Sequence, residues 1–429
     1  MSAGGATRQE IPPDTRPIAL LLGGIRRGAL LVFLPLLAAG QLLAWLTDAV
    51  TGWYRPWSWV KIGLAESLTG ARVAFDATIV QRNVAIFGTR DVTTTGQLVV
   101  ATGALTVAVL VLAFRAGRYQ GRGLEERPLA AALAGSSIGL GYGVPAFISA
   151  LPVTLGLQRF GIDRLEPVLW QALLLPLCVA AAAGATGGLA GARHRLEDGR
   201  WEAVVAAIRG GATGFWWGIA LSFVGVLLAA ALSPGPLGSY ARFVNRADGA
   251  GAATVVEHAL LLPNQSALVL ATAMGATTSL RVGQTDIVDV TRQGVRATGP
   301  SSPFLAGLAG SADDQLARFP WWFAAFLLVP LAAAVLGGRA ARGDRGSVID
   351  QAMRGAGAGL VFAALCAVAV WAASITVPTW GSASLGSVAF GASPIATGAL
   401  AVVWGVPGGI VGAALGWPAR LTVGSATPR

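Results

Sequence analysis

The chain has 429 residues, of which 54% are hydrophobic and only 12% charged, and it contains 58 glycines. In so apolar a chain the glycine excess points to close helix contacts rather than disorder. The net charge of +10 does not indicate nucleic acid, because Lys61 is the only lysine and the arginines cluster at the ends of apolar runs, where such residues set membrane topology and attract anionic headgroups.

Residues 1–27 read as a cytoplasmic tail, with Arg26 and Arg27 ahead of an uncleaved first span at 28–47. The outer loop 48–94 opens on an aromatic belt, Trp53, Tyr54, Trp57 and Trp59. Pro56–Leu68 then reads as a short amphipathic helix at the surface, and the alternation of Val73, Phe75, Ala77 and Ile79 predicts a hairpin over Ala71–Val92. Further spans follow near 95–114, 130–155, 168–191, 211–232, 320–338, 356–377 and 394–416, with a second outer loop at 281–318 and a cytoplasmic tail at 419–429. The predicted fold is all-α: one polytopic bundle over 28–418, of about eight spans.

Charge counting supports this path. With the N-terminus inside, segments 1–27, 115–127, 193–209 and 339–354 each carry four Arg, and both termini are cytoplasmic at a plasma or inner membrane. His194, beside Arg193, belongs to one of these headgroup-facing clusters.

One apolar segment, 252–280, exceeds that count, since a ninth crossing would move the Arg339 loop outside. Pro263, Asn264, Gln265 and Ser266 interrupt it, and proline removes a backbone donor. The expectation is a break there, as two half-helices dipping in from outside; helices lying on the outer surface, or a full span, are the alternatives. Glu257 beside His258 is a candidate functional pair at the segment's edge, where facing water is the simpler reading.

The sequence also repeats. Gly135, Gly139 and Gly143 open one outward-going helix, and Gly210, Gly214 and Gly218 open another. Gly355 and Gly359 open a third, and Gly405, Gly409, Gly412 and Gly416 line the last span. Pro176 and Pro330 lie at similar depth in the inward helices. Each predicted unit is a parallel hairpin of inward helix, Arg loop and glycine-faced outward helix, over 114–155, 168–232 and 320–377.

Recognisable catalytic motifs are missing: there is no H-E-x-x-H, no G-x-S-x-G and no phosphate-binding loop of the Walker type. Cys178 and Cys366 sit singly inside apolar runs, and the two histidines and two cysteines do not make a zinc or haem set. Asp76 and Asp91 in the first outer loop are the acids a lipid-linked glycosyl transferase would need, but isolated acids there are usually only solvated. The expectation is no catalytic residue, no metal and no cofactor.

Several stretches resemble the PerM-like cell-division membrane proteins of bacteria. They are Pro17–Leu20, Trp59–Leu68, Phe114–Arg118, Leu262-Pro263-Asn264 closing on Met274-Gly275, and Gly299–Leu305. Where that family has glycine–proline–glycine after the Pro-Asn helix, this chain has Gly275-Ala276-Thr277-Thr278. The resemblance implies a role in envelope assembly or division through membrane-protein partners, without catalysis. The alternative is a permease or a lipid or small-solute translocator using the broken helix.

Overall fold

The computed structural model describes residues 17–51, 58–85, 88–122, 124, 127–157, 162–192, 199–232, 251–276, 278–282, 285–289, 326–343, 347–378 and 387–415. The fold is mostly helical. Among the described residues six helices are long and apolar enough to cross a membrane: Ile18–Thr47, Pro128–Ala150, Leu169–Gly191, Glu202–Gly225, Val348–Ala373 and Pro394–Ala414. Leu260–Ala273 and Leu328–Ala341 are shorter apolar helices. A chain built this way is a membrane protein by length and composition.

The first half begins with α1 (Pro17–Arg27), a π-helical segment (Gly28–Phe33) and α2 (Leu34–Thr51), which run on as one rod. Then come α3 (Ser58–Thr69), the hairpin β1 (Phe75–Ala85) and β2 (Gly88–Leu98), and α4 (Gly103–Gly121). It finishes with α5 (Pro128–Ser136), α6 (Ile138–Ala150), the strands β3 (Leu155–Leu157) and β4 (Ile162–Pro167), and α7 (Leu169–Gly191). The second half follows the same order. A long helix α8 (Gly199–Leu232) and α9 (Gly251–Ala273) lead to β5 (Thr278–Val282) and β6 (Thr285–Asp289). Helices α10 (Leu328–Ala341) and α11 (Val348–Ala373) then lead to β7 (Ile375–Pro378), β8 (Ser387–Ala392) and α12 (Pro394–Ala414).

Each half makes one antiparallel four-stranded sheet, ordered β2-β1-β4-β3 in the first and β6-β5-β8-β7 in the second. The predicted alternation on β1 holds in space: Val73, Phe75, Ala77 and Ile79 are buried, packed in one core with Leu155, Ile162 and Leu165. Among the described residues six strands beyond the predicted hairpin's two, β3 to β8, complete the sheets, with β1 pairing to β4 and β5 to β8 across intervening helices.

Several helix bounds differ from the expected spans for local reasons. Residues 95–98 are strand, paired to β1, so α4 starts only at Gly103. Helix α11 starts before 356, because Ser347 and Asp350 form a reciprocal cap there. The pair expected over 168–232 is not a packed hairpin: α7 packs on α4, α5 and α6, α8 on α10 and α11, and the two barely touch.

The helices approach through glycine. A Cβ at Gly117 or Gly135 would strike the carbonyl of Gly184, and one at Gly338 or Gly355 would strike that of Gly409. Likewise Gly187 lies on the carbonyl of Phe114, and Gly412 on that of Val335. The α4–α5–α7 contact of the first half is therefore matched position by position in α10–α11–α12 of the second. Backbones this close gain van der Waals contact that a lipid chain cannot supply.

Candidate functional site

Where the two halves meet, a seam gathers several long-range polar contacts. Helix α9 is its wedge, packed on α8 and α11 of its own half and on α4 and α2 of the other. The helix is continuous from Gly251 to Ala273, so the break expected at Pro263–Ser266 is absent. A proline costs one backbone bond but does not end a helix whose neighbours hold it. Ser266 Oγ donates to the Leu262 carbonyl at 2.9 Å, which adds a local bond beside the proline.

What stops α9 lies further on. Gly275 has φ +95°, and Gly275 N–H donates to the Thr272 carbonyl while Ala276 N–H donates to that of Ala271. This is a Schellman ending, in which a left-handed glycine closes the last turn. The chain then turns into β5, so the segment expected to continue to 280 ends as strand.

The Pro-Asn-Gln-Ser stretch is packed rather than wet. Asn264 is only 6% exposed and Ser266 1%, while Pro263 and Gln265 are half-buried. Asn264 Nδ2 donates to the Ala101 carbonyl of the first half at 2.9 Å. Its Oδ1 has no partner among the described residues and abuts Gly103, where a Cβ would collide with it. The amide therefore pins α9 to the start of α4, and it needs glycine at 103 to fit. Glu257 and His258 fall on the first turns of α9, and their side chains lie outside the described residues.

Two further contacts close the seam. Val99 and Thr376 exchange backbone bonds, Val99 N to Thr376 O at 2.8 Å and the reverse at 2.9 Å, so the edge of the first sheet joins β7 of the second. Arg72 adopts a left-handed backbone, φ 60°, at the turn between α3 and β1. Its guanidinium lies 4.3 Å from the centroid of the Trp371 ring, and Nη2 points at the Ser374 carbonyl at 3.4 Å. Burial pushes this guanidinium down to about 10.

Of the residues singled out in the sequence, the structure brings Asn264 and Ser266 into the seam. Gly135, Gly139, Gly143, Gly210, Gly214, Gly218, Gly355, Gly359, Gly405, Gly409 and Gly412 lie at helix contacts, and Gly416 lies outside the described residues. Sequence reasoning missed Arg72, Trp371, Ala101 and Gly103. An arginine followed by an alternating strand was the one available signal for Arg72; nothing local marks its partners, which lie about 300 residues away. Among the described residues no three His, Cys, Asp or Glu side chains gather as a metal site, and both cysteines are free.

Comparison with known proteins leaves the geometry to speak for itself: no family model, no curated protein and no solved structure matches the chain.

Proposed function

We propose that this chain is a non-enzymatic multispanning protein of the inner membrane that supports envelope assembly or cell division through contacts with other membrane proteins, as its resemblance to PerM-like proteins implies. The observation that carries the reading is the packed seam. A carrier would need a polar chamber reaching Pro263–Ser266, and Asn264 is instead buried against Ala101 and Gly103.

In this reading the rod from α1 to α2, α4, the α5–α6 pair, α7, α8, α10, α11 and α12 make eight crossings, with both termini cytoplasmic. Helix α9 is re-entrant from the outer side; in support, Leu270 sits against Gly218 within α8, and the chain returns as β5 toward β8. The repetition is that of two four-crossing units with glycine-zipped helices, and the Arg-rich ends face anionic lipid. Reporter fusions at Gly121 and Gly343 should behave as cytoplasmic; activity of an export-dependent reporter at either site would reverse the topology. Crosslinking with mass spectrometry in native membranes should recover division or wall-synthesis membrane proteins, and a yield of lipid or solute adducts alone would reject the reading.

A translocator is the second reading, favoured by one observation. Because α7 and α8 barely touch, the halves meet chiefly along the seam, the arrangement of two lobes able to move about a joint.

A further inference from the structure

Away from the seam, the last two turns of α4 and its C-cap residue Arg122 expose one stripe, Arg115, Arg118, Tyr119 and Arg122, at spacings of three and four that bring side chains onto one helix face. The opposite face, with Ala116, Gly117, Gln120 and Gly121, is buried. Tyr119 is 63% exposed, and two guanidiniums converge on its ring: Arg122 of the same helix at 5.0 Å from the centroid and Arg27 of α1 at 5.9 Å. Arg26 stands next to Arg27. The described ion pairs are Arg164–Glu166 and Arg354–Glu202, so none of these five arginines has a carboxylate partner among the described residues. Arginines crowded this way repel one another until an anion joins them.

The scaffold holds the crowding in place. Gln120 Nε2 donates to the Leu20 carbonyl at 2.8 Å, and Gly23 lies against the same amide, which fixes α1 on α4. The π-helical segment starts at Gly28, immediately after Arg27, and π-turns recur at functional sites because they re-aim side chains at some cost to the helix. The second half lacks both features. Gly28 packs on Ile138 and Gly141 as Gly211 packs on Ala358 and Val361, so the counterpart of Arg27 is Gly210, buried against Gly337 and Ala341. Helix α8 is α-helical throughout.

We propose that Arg27 and Arg122, meeting over Tyr119 with Arg26, Arg115 and Arg118 around them, form a binding cradle for one phosphate group. Guanidinium forks match phosphate oxygens in pairs, and the exposed tyrosine ring keeps both forks oriented between them. The phosphate is that of an anionic phospholipid headgroup or of a soluble phosphoryl compound. The proposal deepens the reading that the Arg-rich ends face anionic lipid, and it assigns that contact to one half.

The test uses the full chain in detergent, native mass spectrometry with phosphatidylglycerol against phosphatidylcholine, and thermal unfolding with inorganic pyrophosphate. The wild type should retain one phosphatidylglycerol at least 10-fold better than R27Q/R122Q, while R339Q/R342Q in the second half behaves as wild type. The single variant R122Q, at an exposed position, should show the same loss if the double variant folds poorly. Pyrophosphate protection that depends on Arg27 and Arg122, without lipid retention, assigns the cradle to a soluble phosphoryl ligand. Equal retention in all variants with no pyrophosphate effect overturns the cradle and leaves the general headgroup reading standing. Loss of any preference for phosphatidylglycerol over phosphatidylcholine in the wild type, again without a pyrophosphate effect, overturns both.

Discussion

The two halves of the molecule use one plan and treat their polar groups differently. Both run long helix, shorter helix, hairpin, two packed helix layers, a second strand pair and a last helix, and both close on glycine pairs in the same register. Yet α3 packs on α2 within its own half, while α9 in the matching place crosses to α4 and α2 of the other. Tyr142 in α6 and Phe362 in α11 are both buried core residues, and only the first carries a hydroxyl, which finds no partner among the described residues. The matched contacts are apolar and backbone-close, so they define the shared scaffold. The unmatched ones include Asn264, Arg72, Gln120 and the arginine stripe of α4, and they are where the chemistry of the halves differs.

The strongest way to break this comparison is to fill matched glycines. Gly184→Leu and Gly409→Leu force a side chain into a backbone contact, and each should lower stability by more than about 3 kcal/mol, read by tryptophan fluorescence on unfolding in detergent. Tolerance of one and not the other would mean that the halves are only superficially alike. Next comes the wedge: Asn264→Leu leaves the Ala101 carbonyl unpaired and should cost about 1–3 kcal/mol, whereas Gln265→Leu should stay within about 0.5 kcal/mol. Equal effects at the two positions would show that the seam is not organised around Asn264.

The core aromatic pair sharpens the comparison in opposite directions. Phe362→Tyr buries a hydroxyl without a partner and should cost about 2 kcal/mol, while Tyr142→Phe should be neutral or gain up to about 1 kcal/mol. A clear loss from Tyr142→Phe would reveal a bond to its hydroxyl. The smallest effect belongs to the seam's cation–π contact. A double-mutant cycle of Arg72→Gln and Trp371→Leu should give a coupling of about 1 kcal/mol, and zero coupling would make Arg72 a surface residue in energetic terms.

Much of the scaffold is legible in the sequence, because helices in lipid are written as long uncharged runs and close contacts as glycines four apart. Val73, Phe75, Ala77 and Ile79 announce a strand in the same way. The sheets are not legible as wholes, since β1 must wait for β4 and β5 for β8, each beyond two or more helices. Proline misled at position 263: the expectation weighed the lost bond and not the neighbours that keep α9 helical. Asn264 could be named as a buried donor, but its acceptor at Ala101 lies 163 residues away and belongs to an irregular stretch before a helix. Tyr119 and Arg122 sit in plain view, and only the fold brings Arg27 to them.

Helix α8 has 34 residues and therefore extends about 51 Å at 1.5 Å per residue, against a hydrocarbon core about 30 Å thick. Even at a tilt of about 40° it is longer than that core is thick, and its first turns stay packed on α10 and α11, with Val205 and Ala206 buried and Glu202 paired to Arg354. Held to α10 and α11, the helix turns only with its own half, so a rotation of that half by a few degrees about the seam sweeps the Gly199 end through several ångströms.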